Sequence, residues 1–131
     1  MAKGGCHCGA IRYSVKGEPR HSSVCHCESC RRTTGGLMTA WVGYPTEALT
    51  VEQGEPASYA SSAGVERQFC RACGTSLFYF NQPAMPGAVD VLTATLDEPK
   101  AFPPKLHVQM ADALAWEAAL DELPKFRRFP G

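Results

Sequence analysis

Cys25-His26-Cys27-Glu28-Ser29-Cys30 sets three thiols within six residues, and the rest of the chain is read outward from it. Two further clusters flank it: Cys6-His7-Cys8, and Cys70-Arg71-Ala72-Cys73 followed by Gly74. All 7 cysteines fall in these three places. A buried thiol behaves as a small hydrophobe, so cysteines kept for packing would scatter along the core. Tight clusters instead suit a metal. Two thiolates must each reach one Zn²⁺ at about 2.3 Å, and a short turn presents them together. Gly9 and Gly74 follow the first and third clusters and tolerate the positive φ such turns need. Disulfides are the competing explanation. A Cys6–Cys8 bridge would close a small strained ring, and the odd count leaves a thiol over.

The clusters supply two, three and two ligands. A structural zinc site takes four protein ligands; a catalytic one takes three and keeps an open position. The simplest partition closes one site with Cys6, Cys8, Cys70 and Cys73, tying the N-terminus to the middle of the chain. Cys25, Cys27 and Cys30 then form a three-thiolate site with a free corner. Spacing alone leaves other partitions open: His7, His26 or His107 as a fourth ligand, or the second cluster paired with the third.

At 131 residues the chain has the length of one domain, and 44% hydrophobic with 20% charged residues is a globular balance. Lys+Arg and Asp+Glu both number 13. That zero net charge argues against nucleic-acid binding, despite the local pairs Arg31–Arg32 and Arg127–Arg128. No window approaches the roughly 18 apolar residues of a membrane span, and residues 1–5 show no signal-peptide pattern. The expected location is cytoplasmic, where thiols stay reduced and clustered cysteines bind metal.

Gly 12 and Pro 10 predict many turns. Short β-rich stretches fall at 10–16, 37–44, 49–53, 66–70, 76–80, 89–96 and 105–110. In the first, Ile11, Tyr13 and Val15 share a face. Helix is predicted over 28–34, stopping at Gly35–Gly36, and over 112–123, stopping at Pro124. The expected fold is mainly β: short antiparallel sheets with one or two short helical segments. His7 and His26 are expected to point away from the metal, His107 to be structural, and His21 to lie in a loop. Glu28 and Ser29 could touch whatever fills the open corner. Arg31 and Arg32 either offset thiolate charge, bind a carboxylate or are solvated. Trp41, Phe78, Tyr79, Phe80 and Trp116 read as core.

These motifs resemble those of the glutathione-dependent formaldehyde-activating enzyme family, also called the GFA or CENP-V domain family. The matching stretches are GGCHCGAIRY (4–13), CHCESCRRTTGG (25–36), RQFCRACGTSLFYF (67–80) and the closing pattern over 107–126. The resemblance implies an Mss4-like fold of short antiparallel sheets organised around zinc, over one domain spanning 1–131. It implies two Zn²⁺ per chain, with Cys6, Cys8, Cys70 and Cys73 structural and Cys25, Cys27 and Cys30 catalytic in type. It also implies a carbon–sulfur lyase that joins formaldehyde to glutathione. The expected partners are therefore a small thiol and a small aldehyde. The rival reading is a non-catalytic zinc module that binds a protein partner. No side chain stands out in the sequence as a general base.

Overall fold

The computed structural model describes residues 1–131. Strands β1 (Ala2–Gly5), β2 (Arg12–Val15) and β5 (Leu49–Gln53) form a three-stranded sheet in the order β1-β2-β5. The remaining strands are β3 (His21–Cys25), β4 (Thr39–Pro45), β6 (Ala57–Ser62), β7 (Val65–Phe69), β8 (Ser76–Asn81), β9 (Ala88–Leu92) and β10 (Leu106–Val108). They form a seven-stranded sheet in the order β10-β3-β4-β9-β8-β7-β6. Only the β10–β3 pair is parallel. One α-helix, α1 (Glu28–Thr34), connects β3 to β4 and stops at Gly35, whose φ of 80° is left-handed. The mainly β, mostly antiparallel expectation holds, and so does the first helix.

The core forms where the two sheets face each other. Ile11, Tyr13 and Val15 come from the small sheet side; Val42, Tyr44, Leu77, Phe78, Val89 and Val91 come from the large one. Tyr13 meets Phe78 edge-to-face at 5.0 Å between ring centroids. Its hydroxyl is satisfied by Thr95 Oγ1 at 2.7 Å, as a buried phenol requires. Cys6 and Cys70 belong to this same cluster. A smaller cluster of Cys25, Cys30 and Trp41 packs beside it, with Tyr79, Leu92 and Val108 around it.

Three strands differ from the sequence reading. β1 (AKGG), β3 (HSSVC) and β6 (ASYASS) carry no apolar alternation, so periodicity does not show them. β3 is nonetheless interior, between β10 and β4, and Ser22 Oγ donates to Pro103 O at 3.1 Å. His21 therefore opens a strand and does not lie in a loop. The stretch 112–123 is not an α-helix. It forms 3₁₀ turns at Met110–Asp112 and Ala115–Glu122. Its half-buried residues include Leu114, Glu117 and Leu120, three apart. That is the period of a 3₁₀-helix, whose i and i+3 side chains eclipse. Trp116 lies off this line and is 51% exposed, so it is not core. Trp41 and Phe78 are buried as expected, while Tyr79 and Phe80 are half-buried.

One cross-strand contact fixes the centre of the large sheet. Gly43 pairs with His21 on one side and with Asp90 on the other. His21 Nε2 reaches across Gly43 to within 2.9 Å of Asp90 Oδ1. A Cβ on Gly43 would sit 2.1 Å from that nitrogen, so only glycine leaves room for the ring. The Asp90 carboxylate raises the His21 pKa from its ordinary 6.5, against a smaller opposing effect of burial. A raised folded pKa means the pair stabilises the fold fully below the unfolded value and loses that contribution as pH rises through the folded value. Half-exposed pairs of this kind contribute about 0.5–1 kcal/mol after solvent screening. Wild type should therefore melt a few degrees above His21→Gln at pH 6. The difference should shrink by pH 8.5. An unchanged difference across that range would contradict the pairing.

Candidate metal centres

Each thiol cluster is placed by the end of a strand and a tight turn. Cys6 follows β1, and the chain turns through Gly9 (φ 83°), whose N–H donates to Cys6 O at 3.2 Å. Cys70 follows β7, and the chain turns through Gly74 (φ 80°), whose N–H donates to Cys70 O at 2.7 Å. A Cβ at either glycine would meet nothing within 4 Å, so the requirement there is backbone conformation and not space. The two turns bring Cys6, Cys8, Cys70 and Cys73 together, with all four Sγ atoms within 4.8 Å of one another. Cys6 and Cys8 sulfurs are 3.6 Å apart, and Cys8 and Cys70 sulfurs are 3.8 Å apart. A tetrahedron with bonds of about 2.3 Å has edges of about 3.8 Å. A disulfide would need about 2.05 Å, and all seven cysteines are free. The donor set thus fits a tetrahedral thiophilic ion.

Local donors favour the thiolate at Cys6 and Cys73, whereas at Cys8 the backbone N–H of Ala10 is outweighed by the neighbouring thiols, which push it up to about 11. Ile11 N–H donates to Cys6 Sγ at 3.2 Å. The Thr75 hydroxyl, 3.2 Å from Cys73 Sγ, brings that thiol down to about 5.

Cys25, Cys27 and Cys30 form the second group, again within 4.8 Å of one another. Cys25 ends β3, Cys27 caps α1, and Cys30 lies in the helix's first turn. Cys27 Sγ accepts from Cys30 N–H at 3.2 Å, replacing the usual hydroxyl or carboxylate cap. Burial pushes Cys30 up to about 12, assisted by the Cys27 thiol. Burial also opposes ionisation of Cys27, but its bonds from the Cys30 N–H and thiol outweigh that and lower it. Three thiols and no fourth protein donor meet here, so a four-coordinate ion would have one position to spare.

No histidine joins either group. His7 is exposed, and its backbone N–H donates to Thr75 Oγ1. His26 is only 2% exposed and points away from the thiols. Its Nδ1 lies 2.8 Å from Glu117 Oε2 and its Nε2 lies 2.9 Å from His107 Nδ1. This triad fastens the C-terminal 3₁₀ segment behind the Cys25–Cys27 turn. His107 is thus structural, as its strand position suggested.

The basic residues after Cys30 do not face the thiols. Arg31 Nη1 donates to His26 O at 3.0 Å and to Asp112 O at 2.7 Å, so it pins the tail. Arg32 pairs with Glu28 at 3.0 Å on the surface. Glu28 is therefore occupied and exposed. The cation at the thiols is Arg67, which the sequence reading missed. It comes from β7, is 8% exposed, and places Nη1 3.7 Å from Cys30 Sγ. Its guanidinium carbon stands 4.7 Å above the Tyr79 ring. Its place three residues before Cys70 does not by itself mark it as a site residue.

Known proteins resemble this chain in sequence and in fold. A protein of Halomonas elongata, named as a candidate glutathione-dependent formaldehyde-activating enzyme, is 29% identical over 127 residues, covering 88% of this chain and 79% of its own. An uncharacterized lyase of Schizosaccharomyces pombe is 36% identical over 84 residues, covering 59% of this chain and 56% of its own. A Phaeosphaeria nodorum relative, named like the first, is 26% identical and covers 97% of this chain and 61% of its own. The chain thus spans little more than half the length of the fungal relatives. The crystal structure of a Rhodobacter sphaeroides protein superposes with a TM-score of 0.66 at 25% identity, covering 81% of this chain and 99% of that one. The family model for the glutathione-dependent formaldehyde-activating enzyme matches residues 1–112. That span contains every thiol of both clusters and ends just before the 3₁₀ segment that Glu117 fastens to His26, and on that match the chain belongs to the GFA family.

Proposed function

We propose that the chain is one GFA-type domain, 1–131, that binds two Zn²⁺ and catalyses carbon–sulfur bond formation and cleavage between a small thiol and formaldehyde, as in S-hydroxymethylglutathione synthesis. The observation that carries this is the unequal closure of the two thiol groups: four mutually close sulfurs in one, three in the other. On this reading Cys6, Cys8, Cys70 and Cys73 hold the structural zinc, and Cys25, Cys27 and Cys30 hold the catalytic one. A zinc ion held by three thiolates and keeping one open position would lower the pKa of a thiol placed there.

The protein's own groups do the rest. Three thiolates around a divalent cation leave a net charge of about −1, which opposes an incoming thiolate. Arg67, against Cys30 Sγ, offsets that charge. Cys25 and Cys30 are buried, so the site excludes bulk water on their side. In the reaction the substrate sulfur forms a bond to the carbonyl carbon. The carbonyl π pair moves to oxygen, which takes up the proton the thiol gave up. The reverse step breaks the same carbon–sulfur bond. Clustered free thiols suit a reducing, cytoplasmic compartment, and no helix is long and apolar enough to cross a membrane.

Cobalt(II)-substituted protein provides the test, because ligand exchange at cobalt changes its visible spectrum. Glutathione at millimolar concentration should shift the bands saturably, with apparent affinity rising with pH until the free thiol ionises. S-methylglutathione should not shift them. If glutathione, cysteine and simple mercaptans all leave the spectrum unchanged, the domain is a zinc module for a protein partner instead.

A further inference from the structure

We propose that Arg67 and the cavity beside it bind the carboxylate end of the thiol substrate, so that this site selects carboxylate-bearing thiols. The proposal rests on the thiol-binding reading above. Arg67 is buried, yet every ion pair in the protein involves other residues. Its Nη1 edge faces the Cys30 thiol, no carboxylate of the protein pairs with it, and a buried guanidinium with an unpaired N–H edge can take an anion. Its bonds are polarised to one side. Nε donates to Ser61 Oγ at 3.3 Å, and Nη1 donates to Thr33 Oγ1 at 3.1 Å and approaches Cys30 Sγ. Nη2 makes no hydrogen bond within the protein.

The cavity that Arg67 lines has a volume of about 490 Å³, within the usual range for small-molecule sites. Trp41 and Phe78 give it apolar walls, and Thr33, Thr34 and Ser76 give it hydroxyls. None of Cys25, Cys27 and Cys30 lines it, but Arg67 joins it to their group by lining the cavity and reaching Cys30 Sγ. Tyr79 below the guanidinium and the two hydroxyl contacts hold the fork in place before any ligand arrives. A fixed guanidinium with free N–H groups is the side chain best suited to a carboxylate. A thiol reaching the open corner by its sulfur could thus be held at Arg67 by its acid group. Glutathione fits this class through its two carboxylates; a neutral mercaptan does not.

The test separates the carboxylate from the thiol. S-methylglutathione has no free thiol, so its binding to the zinc-loaded protein by calorimetry reports the cavity alone. It should bind at least about tenfold more tightly than its dimethyl ester. Arg67→Gln should abolish that preference, and Arg67→Lys should keep part of it. Should Arg67→Gln not fold, the acid-against-ester comparison on wild type decides. Equal binding of acid and ester, binding of neither, or a preference that survives Arg67→Gln would overturn the proposal. The two readings fail apart. A cobalt spectrum that answers glutathione and its diester equally removes the carboxylate site and leaves thiol binding standing. An Arg67-dependent preference without any cobalt response does the opposite.

Discussion

Cys73→Ser and Cys70→Ser should each unfold the protein or lower its Tm by about 15 °C or more. The two residues differ in burial: Cys70 is 1% exposed and Cys73 lies on the surface. Burial alone could explain a defect at Cys70, since a hydroxyl placed in a buried apolar site without a partner costs up to a few kcal/mol. It cannot explain one at Cys73. The shared cause would be the ion that both residues help to hold. Structural zinc in small domains contributes about 10–16 kcal/mol of apparent binding energy, and that energy is folding energy. Domains of this size are stable by only about 5–15 kcal/mol in total, so losing one of four ligands removes a large share. Thermal melts check this directly. A destabilised Cys70→Ser beside an unaffected Cys73→Ser would mean burial and not metal.

Cys27→Ser should have the reverse profile: a folded protein without catalysis. Cys27 is half-buried at the margin of a three-residue cluster, away from the main core. Serine can still cap α1 there, as it commonly does. The Tm should stay within a few degrees of wild type. Changes merely behind a metal ligand lower affinity or activity 10–100-fold. Loss of a ligand should therefore lower the rate of S-hydroxymethylglutathione formation at least about 100-fold, towards the uncatalysed rate. Equal thermal collapse of Cys27→Ser and Cys73→Ser would contradict the division of labour between the two sites.

Much of the site was legible because metal ligands follow covalent spacing. Two cysteines in one turn stay neighbours however the rest of the chain folds. The glycines at 9, 35 and 74 were legible for a similar reason, each answering a local backbone demand. Arg67 was not legible as a site residue. Its role depends on β7 lying opposite α1 and on the absence of an acid nearby, both consequences of tertiary packing. The Glu117–His26–His107 triad was hidden in the same way, being assembled from segments more than eighty residues apart. Strand β3 was not legible because its serines break the apolar pattern, and the bond from buried Ser22 to Pro103 O of a later loop is not visible in the sequence. The 3₁₀ segment near the C-terminus reads as α-helix from Ala and Leu content alone. Its three-residue burial period becomes visible only once Glu117 is seen docked against His26.

On the proposed reading two separate thiol groups each hold a metal ion. Elemental analysis of freshly purified, reduced protein kept away from chelators and oxidants tests it most directly. Wild type should carry close to two zinc ions per chain and Cys27→Ser close to one. One zinc ion or fewer in wild type would contradict it.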